Sequence, residues 1–222
     1  MDFKVFQYFS QVFLTTMVVL FPIINPLGTG LALNSILSQL ANNERRSVAR
    51  SIAVYAFFLC VITLLIGQPV LKLFGLPISI VQLAGGILIV KAGWELFNNN
   101  STENKDHDVN SLDNIKSQLF YPLTFPITTG AGVMAAIISL SAKNFNTSWF
   151  NIAVSFVAIV AGIFVNCILV FIVYNNSTKI TTKLNSSMQN VINKISAFLI
   201  FCVGLDIFWD ALSKLILSIG KL

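Results

Sequence analysis

Phe21-Pro22-Ile23-Ile24-Asn25-Pro26-Leu27-Gly28-Thr29-Gly30 interrupts an apolar stretch, and one hundred residues on the chain repeats its punctuation as Tyr121-Pro122-Leu123-Thr124-Phe125-Pro126-Ile127-Thr128-Thr129-Gly130. Four of the six prolines fall in these two copies: Pro22, Pro26, Pro122 and Pro126. A proline inside a helix removes one i to i−4 hydrogen bond and clashes with the carbonyl a turn back. Each copy is therefore expected to break a helix, leaving the carbonyls of Val18 and Pro22, or of Gln118 and Pro122, without helical donors. Such groups survive at membrane depth only inside protein or beside a water-filled cavity. Paired interruptions in two halves of a membrane chain point to a transporter's binding site.

The composition sets these breaks in a bilayer. Of 222 residues 55% are hydrophobic and 10% charged, where a soluble domain carries about a quarter, and the mean hydropathy is +0.80. At about 20 apolar residues per crossing, the chain holds six spans, expected at 6–40, 48–74, 78–97, 119–141, 150–174 and 192–216. The first exceeds one crossing; two half-helices meeting at Asn25–Gly30 absorb the excess, as would a surface extension after Leu33. Asp2 and Lys4 ahead of the first apolar run resemble a signal peptide, but no small-residue cleavage site follows and the segment reads as retained. Cys60, Cys167 and Cys202 fall within spans and read as packing residues.

Net charge is +5, and membrane orientation accounts for it without a nucleic-acid or other acidic partner. With the N-terminus outside, cytoplasmic segments carry Arg45, Arg46, Arg50, Lys105, Lys116, Lys179, Lys183 and Lys194, against Lys4, Lys72, Lys143, Lys214 and Lys221 outside. The positive-inside rule then places both termini outside.

A fainter echo, Gly93-Trp94-Glu95-Leu96-Phe97 and Gly204-Leu205-Asp206-Ile207-Phe208, links the third and sixth spans at an offset of 204 − 93 = 111. Three spans per half is an odd number, so the second half crosses in the opposite sense. The expected architecture is all-α: a 3+3 inverted repeat with discontinuous first and fourth helices, residues 1–97 and 118–222, joined by a polar cytoplasmic linker at 98–117. Glu103, Asp106, His107 and Asp108 in that linker invite a metal. Their surroundings are too poor in apolar groups to bury anything, and no metal site is assigned.

The breaks carry the chemistry. Asn25-Pro26 reads as a helix start, asparagine capping and proline tolerated at the first helical position. Free N–H groups around Gly28, Thr29 and Gly30 would then present the positive end of a helix dipole to an anionic group. In the second copy Thr128 and Thr129 are expected to cap likewise, with Gly130 and Gly132 flanking Ala131, and Phe125 replacing the asparagine. Facing breaks of this kind suit a small zwitterion: N–H groups receive its carboxylate, while freed carbonyls and the Asn25 side-chain oxygen accept from its ammonium. The bland alternative is proline and glycine kinking helices for packing.

Asp206 is the candidate for ion coupling, since it lies about ten residues, roughly 15 Å, from the end of its span and a charge in hydrocarbon is costly. Asp210 and Lys214 follow at i+4 and i+8, so a charged face near the outer surface explains it equally. Glu95 and Lys91 read as a snorkelling ion pair. Gly85, Gly86, Gly93 and Gly162 permit close helix contact; Asn166 and Thr63 bond across helices or line a cavity. One histidine, no nucleophile–base spacing and no metal motif speak against an enzyme or a cofactor.

Phe21-Pro22-x-x-Asn25-Pro26-x-Gly28, the Arg45-Arg46 loop, Gly85-Gly86-Ile87-Leu88 and Phe125-Pro126-x-Thr128-x-Gly130-x-Gly132 resemble the MarC family of six-helix bacterial inner-membrane proteins over nearly the whole chain. The resemblance implies a transporter of small neutral amino acids such as glycine and alanine with discontinuous first and fourth helices; the inverted repeat adds alternating access, with H+ or Na+ as candidate coupling ions. Asn25, Gly28, Thr29, Thr128, Thr129 and Gly130 would inherit the binding role, and Gly30 joins them from the motif. Where the family usually continues with an asparagine and a further proline, this chain has Thr29-Gly30-Leu31-Ala32. Two other classes stay open, a passive pore and a structural or regulatory membrane protein. Counterflow in liposomes separates the first from a transporter, and ligand titration separates the second.

Overall fold

A computed structural model describes residues 3–98, 115, 117–145 and 148–219. Glu103, Asp106, His107 and Asp108 of the expected linker lie outside the described residues. In chain order the helices are α1 (Phe3–Ile24), α2 (Pro26–Ala32), α3 (Asn34–Leu37), α4 (Asn42–Leu73), α5 (Ile78–Asn98), α6 (Leu119–Thr128), α7 (Ala131–Asn144), α8 (Trp149–Asn175), α9 (Ser177–Lys183) and α10 (Ser186–Ile219). The described residues contain no strand. Phe3–Ala32, α4, α5, α8 and Ser187–Leu217 are each long and apolar enough to cross a bilayer, and α6 with α7, bent by 62°, brings the number to six if the bent pair is one span.

Side chains that would be aggregation-prone in water cover the outside: Phe58, Ile62, Leu65 and Ile66 along α4, and Val157, Phe164 and Ile172 along α8 are exposed. Such a surface belongs in lipid. The core lies between the helices, with Leu20, Ile24, Ile52, Ile89, Ile137, Ile159 and Ile163 fully buried.

Small residues set the packing. Helix α8 runs parallel to α1: Tyr8 Oη meets Ser155 Oγ at 2.8 Å, and a Cβ added to Gly162 would lie 2.7 Å from Thr16 Cγ2. Helices α5 and α10 run antiparallel, backbone almost on backbone. A Cβ at Gly93 would lie 2.7 Å from Phe201 N, and one at Gly204 would lie 2.6 Å from Val90 N. The two glycines of the fainter sequence echo thus sit in one seam. Helix α7 packs against α5 through Gly85 on Ala135 and a 2.7 Å bond from Gln82 Nε2 to Ser139 Oγ.

Spans two and three are joined by a tight turn that the sequence dictates. Gly75 takes φ +65°, which lets Leu76 N–H reach Leu71 O at 2.9 Å and Gly75 N–H reach Lys72 O at 3.0 Å. Those bonds satisfy the last carbonyls of α4. Pro69 lies inside α4 without ending it.

Three expectations need correction. Arg45 does not sit in a loop: it is buried in the first turns of α4, donating from Nε to the Asn175 carbonyl at the end of α8 (3.0 Å) and from the guanidinium to Thr178 and Asn42. A cation there meets the negative end of the α8 dipole. Cys202 is exposed on α10 rather than packed, whereas Cys60 and Cys167 are buried. Pro22 lies inside α1, which continues to Ile24, so the break falls later than Pro22.

Candidate functional site at the two helix breaks

The first break is one residue long. Asn25 adopts the left-handed conformation, φ 48° and ψ 58°, a region that asparagine tolerates better than other side-chain-bearing residues. The helix is intact on both sides: Asn25 N–H reaches Phe21 O and Thr29 N–H reaches Asn25 O, both at 2.9 Å. Asn25 Oδ1 accepts from Gly28 N–H at 3.2 Å, and Thr29 Oγ1 donates to Asn25 O at 2.8 Å. The capping expected of Asn25 is present. Its consequence is the reverse of the expected one, because the N–H groups of Gly28 and Thr29 are already taken and are not free for an anion.

The second break is wide. In α6 the hydrogen bonds reach five residues back: Thr129 N–H to Thr124 O at 2.8 Å, Thr124 Oγ1 to Leu119 O and Thr128 Oγ1 to Leu123 O at 2.7 Å, and Thr129 Oγ1 to Thr124 O at 3.0 Å. Tyr121 and Phe125 are extended, and the bonds Tyr121-Pro122 and Phe125-Pro126 are cis. Thr128 and Thr129 therefore do not cap α7, as the sequence had suggested; their hydroxyls are spent on carbonyls of α6. The N-cap is Gly130, which has no side chain to offer. Helix starts leave their first N–H groups orphaned, and those of Ala131, Gly132 and Val133 find no acceptor among the described residues.

The two breaks meet at a tyrosine. Tyr174, at the end of α8 and fully buried, donates from Oη to Thr29 Oγ1 at 2.9 Å and lies 3.0 Å from Thr128 Oγ1. Thr128 has one proton for two acceptors, Leu123 O and Tyr174 Oη. When it turns to the tyrosine, a continuous run of hydroxyls links the breaks. A Cβ added to Gly132 would lie 3.6 Å from Ile23 Cγ2, which sets the first turn of α7 beside the end of α1.

The other expected site residues fall as follows. Asn25, Gly28, Pro22 and Pro26 are buried, and Gly30 is pressed against α8, where a Cβ would lie 2.7 Å from Val173 Cγ1 and 3.4 Å from the Tyr174 ring. Gly30 is thus a contact for α8. Thr128 and Thr129 are buried, Gly130 and Pro122 half-buried, and Pro126 exposed, so the second copy is open on one side. Asp206 is exposed on α10 with no hydrogen bond or ion pair among the described residues, while Lys214 Nζ pairs with Asp210 Oδ2 at 2.6 Å. Lys91 and Glu95 form the expected pair, 3.7 Å apart and exposed. Asn166 reaches across to Met17 Sδ at 3.5 Å, whereas Thr63 bonds only to Leu59 O in its own helix. The sequence reading missed Tyr174; the signal was a hydroxyl-bearing ring closing the most apolar span.

The family model described as "MarC family integral membrane protein" matches residues 10–216. The chain belongs to the MarC family. Among its relatives, the UPF0056 membrane protein YvbG of Bacillus subtilis (strain 168) is 27% identical over 202 residues, covering 90% of this chain and 91% of the relative. A UPF0056 membrane protein of Aquifex aeolicus (strain VF5) is 24% identical over 212 residues, covering 95% and 96%. The UPF0056 inner membrane protein MarC of Escherichia coli O1:K1 / APEC is 26% identical over 206 residues, covering 90% and 93%. No solved structure matches this MarC family member.

Proposed function

We propose that this protein carries small neutral amino acids, of glycine or alanine size, across the bacterial inner membrane by alternating access between two inverted three-helix halves. One observation carries the reading: Tyr174 Oη holds Thr29 of the first break and Thr128 of the second at one buried point. Both termini lie outside in this reading.

A zwitterion divides between the breaks by their chemistry. Its carboxylate goes to the uncapped N–H groups of Ala131, Gly132 and Val133, at the positive end of the α7 dipole. Its ammonium takes hydroxyl and carbonyl oxygens around Thr29, Thr128 and Thr129, and the second lone pair of Asn25 Oδ1. Gly130 brings no side chain to screen these N–H groups, and Gly132 lets Ile89 pack against the first turn of α7. No Asp, Glu, Lys or Arg stands within either break, which fits a neutral side chain.

The test is counterflow of labelled glycine or alanine in proteoliposomes holding the folded protein. Exchange stimulated by unlabelled amino acid inside the vesicle is expected, and Tyr174→Phe should lower it severalfold. Flux without exchange stimulation would make the protein a pore, and absence of any flux from correctly inserted protein would end the transport reading. Imposed proton and sodium gradients decide the coupling ion, with Asp206→Asn reporting whether that carboxylate takes part.

A further inference from the structure

Away from the breaks, α4 and α8 leave a groove of about 420 Å³ between them on the outer face of the bundle. Arg46 and Arg50 stand at one end, and Phe57, Phe58, Phe164 and Phe171 line much of the rest. The helices run antiparallel here, since Arg45 reaches Asn175 O while Phe57 meets Phe164 edge to face at 5.9 Å. The arginines therefore lie level with the end of α8 and the rings lie deeper. Arg46 to Phe58 is 58 − 46 = 12 residues of helix, about 18 Å along the axis.

The three neighbouring arginines differ in what they do. Arg45 is buried and spends its donors on Asn175, Thr178 and Asn42. Arg46 and Arg50 are exposed, one turn apart on a single face, and neither has a hydrogen bond or ion pair among the described residues. Like charges at that spacing repel, and an anion between them removes the repulsion. Two guanidiniums present a fork of donors suited to a phosphate diester, while the groove below them offers hydrocarbon and aromatic surface. Basic pockets at the headgroup level between membrane helices take anionic lipid in this way.

We propose that this groove is a binding site for an anionic glycerophospholipid, its phosphate between Arg46 and Arg50 and one acyl chain lying over Phe57, Phe58 and Phe164. Native mass spectrometry of the intact detergent-purified protein, titrated with palmitoyl-oleoyl phosphatidylglycerol and phosphatidylcholine, tests it. Phosphatidylglycerol should be retained at least fivefold over phosphatidylcholine. R46Q/R50Q should bring the ratio near one, whereas the charge-matched K179Q/K183Q, on the exposed face of α9, should keep it. V54W, which fills the groove from an exposed position, should remove most bound lipid of both kinds in protein that stays monodisperse. Equal retention of the two lipids by the unaltered protein overturns the proposal. So does a preference that survives R46Q/R50Q, or one lost equally in K179Q/K183Q. A dimer that V54W dissociates would assign the groove to a second copy of the chain and also overturn it.

Discussion

The first and second breaks share prolines, threonine and glycine at matching positions, yet one is a single left-handed residue and the other a ten-residue kinked segment, extended at Tyr121 and Phe125, leading into a 62° bend. The difference shows first at position 25 against position 125, and the threonines of the second copy add to it. Asn25 tolerates positive φ and carries an oxygen that caps Gly28, so the first break closes on itself. Phe125 stands at the equivalent place, takes extended angles (φ −115°, ψ 124°) and has nothing to cap with. Threonine hydroxyls then satisfy the carbonyls of α6, and the N–H groups of α7 stay open. A repeated motif thus yields one rigid joint and one receptive end.

The largest effect expected from attacking this contrast is at Asn25. Asn25→Val forces a β-branched residue into left-handed backbone, about 1–2 kcal/mol, and deletes a cap worth about 0.5–2 kcal/mol. Asn25→Gly keeps the backbone and should lose only a few tenths of a kcal/mol. Unfolding by SDS in mixed micelles reads both, and equal losses would show that backbone handedness at Asn25 does not matter. Next comes the pair of motif glycines. Gly30→Ala places a Cβ 2.7 Å from Val173 Cγ1, and overpacking of that kind costs about 1–3 kcal/mol. Gly130→Ala meets only Pro126 O at 3.0 Å, with an extended φ of −87°. Its small shift is offset by the entropy of removing a glycine, about 0.4–1 kcal/mol. The two alanines should therefore differ about tenfold or more in the folded-to-unfolded ratio at matched SDS; similar values would make the breaks mechanically alike.

A smaller effect is expected where the breaks touch. Tyr174→Phe removes the hydroxyl between Thr29 and Thr128, while both threonines keep their bonds to Asn25 O and Leu123 O. The stability loss should be about 1 kcal/mol, read by the same unfolding assay. A loss of several kcal/mol would mean that Tyr174 carries the fold rather than the junction.

Much of the fold was legible because apolar run length is a strong signal: five long apolar helices and the bent α6–α7 pair lie where the sequence puts its six segments. The place of the first break was legible too, since Asn-Pro is a helix start by local chemistry alone. What stayed hidden depended on partners far away in sequence. Tyr174 is one aromatic among many until α8 lies parallel to α1 and brings it to Thr29, 145 residues distant. Arg45 looks like Arg46 in the sequence, and only the arrival of Asn175 buries one and leaves the other exposed. The direction of the threonine hydroxyls was also beyond local reading, because a helix whose bonds reach five residues back makes Thr128 and Thr129 donors to their own segment instead of caps for the next.

The smallest expected effect separates two accounts of why the breaks diverged. If the asparagine alone dictates the joint, Phe125→Asn should convert the second break toward the first and straighten the α6–α7 bend. If the threonine network holds α6 open, the substitution should change stability by no more than about 0.5 kcal/mol and leave the bend intact. The second outcome is expected. Thr124, Thr128 and Thr129 each already bond five residues back, and the first copy has only Thr29 to set against them, with Ile24 and Gly28 where the second has Thr124 and Thr128. Distances between spin labels at Phe120 and Lys143, in a cysteine-free background, report the bend directly. A lengthening toward that of a straight helix in Phe125→Asn would return the difference between the breaks to a single side chain.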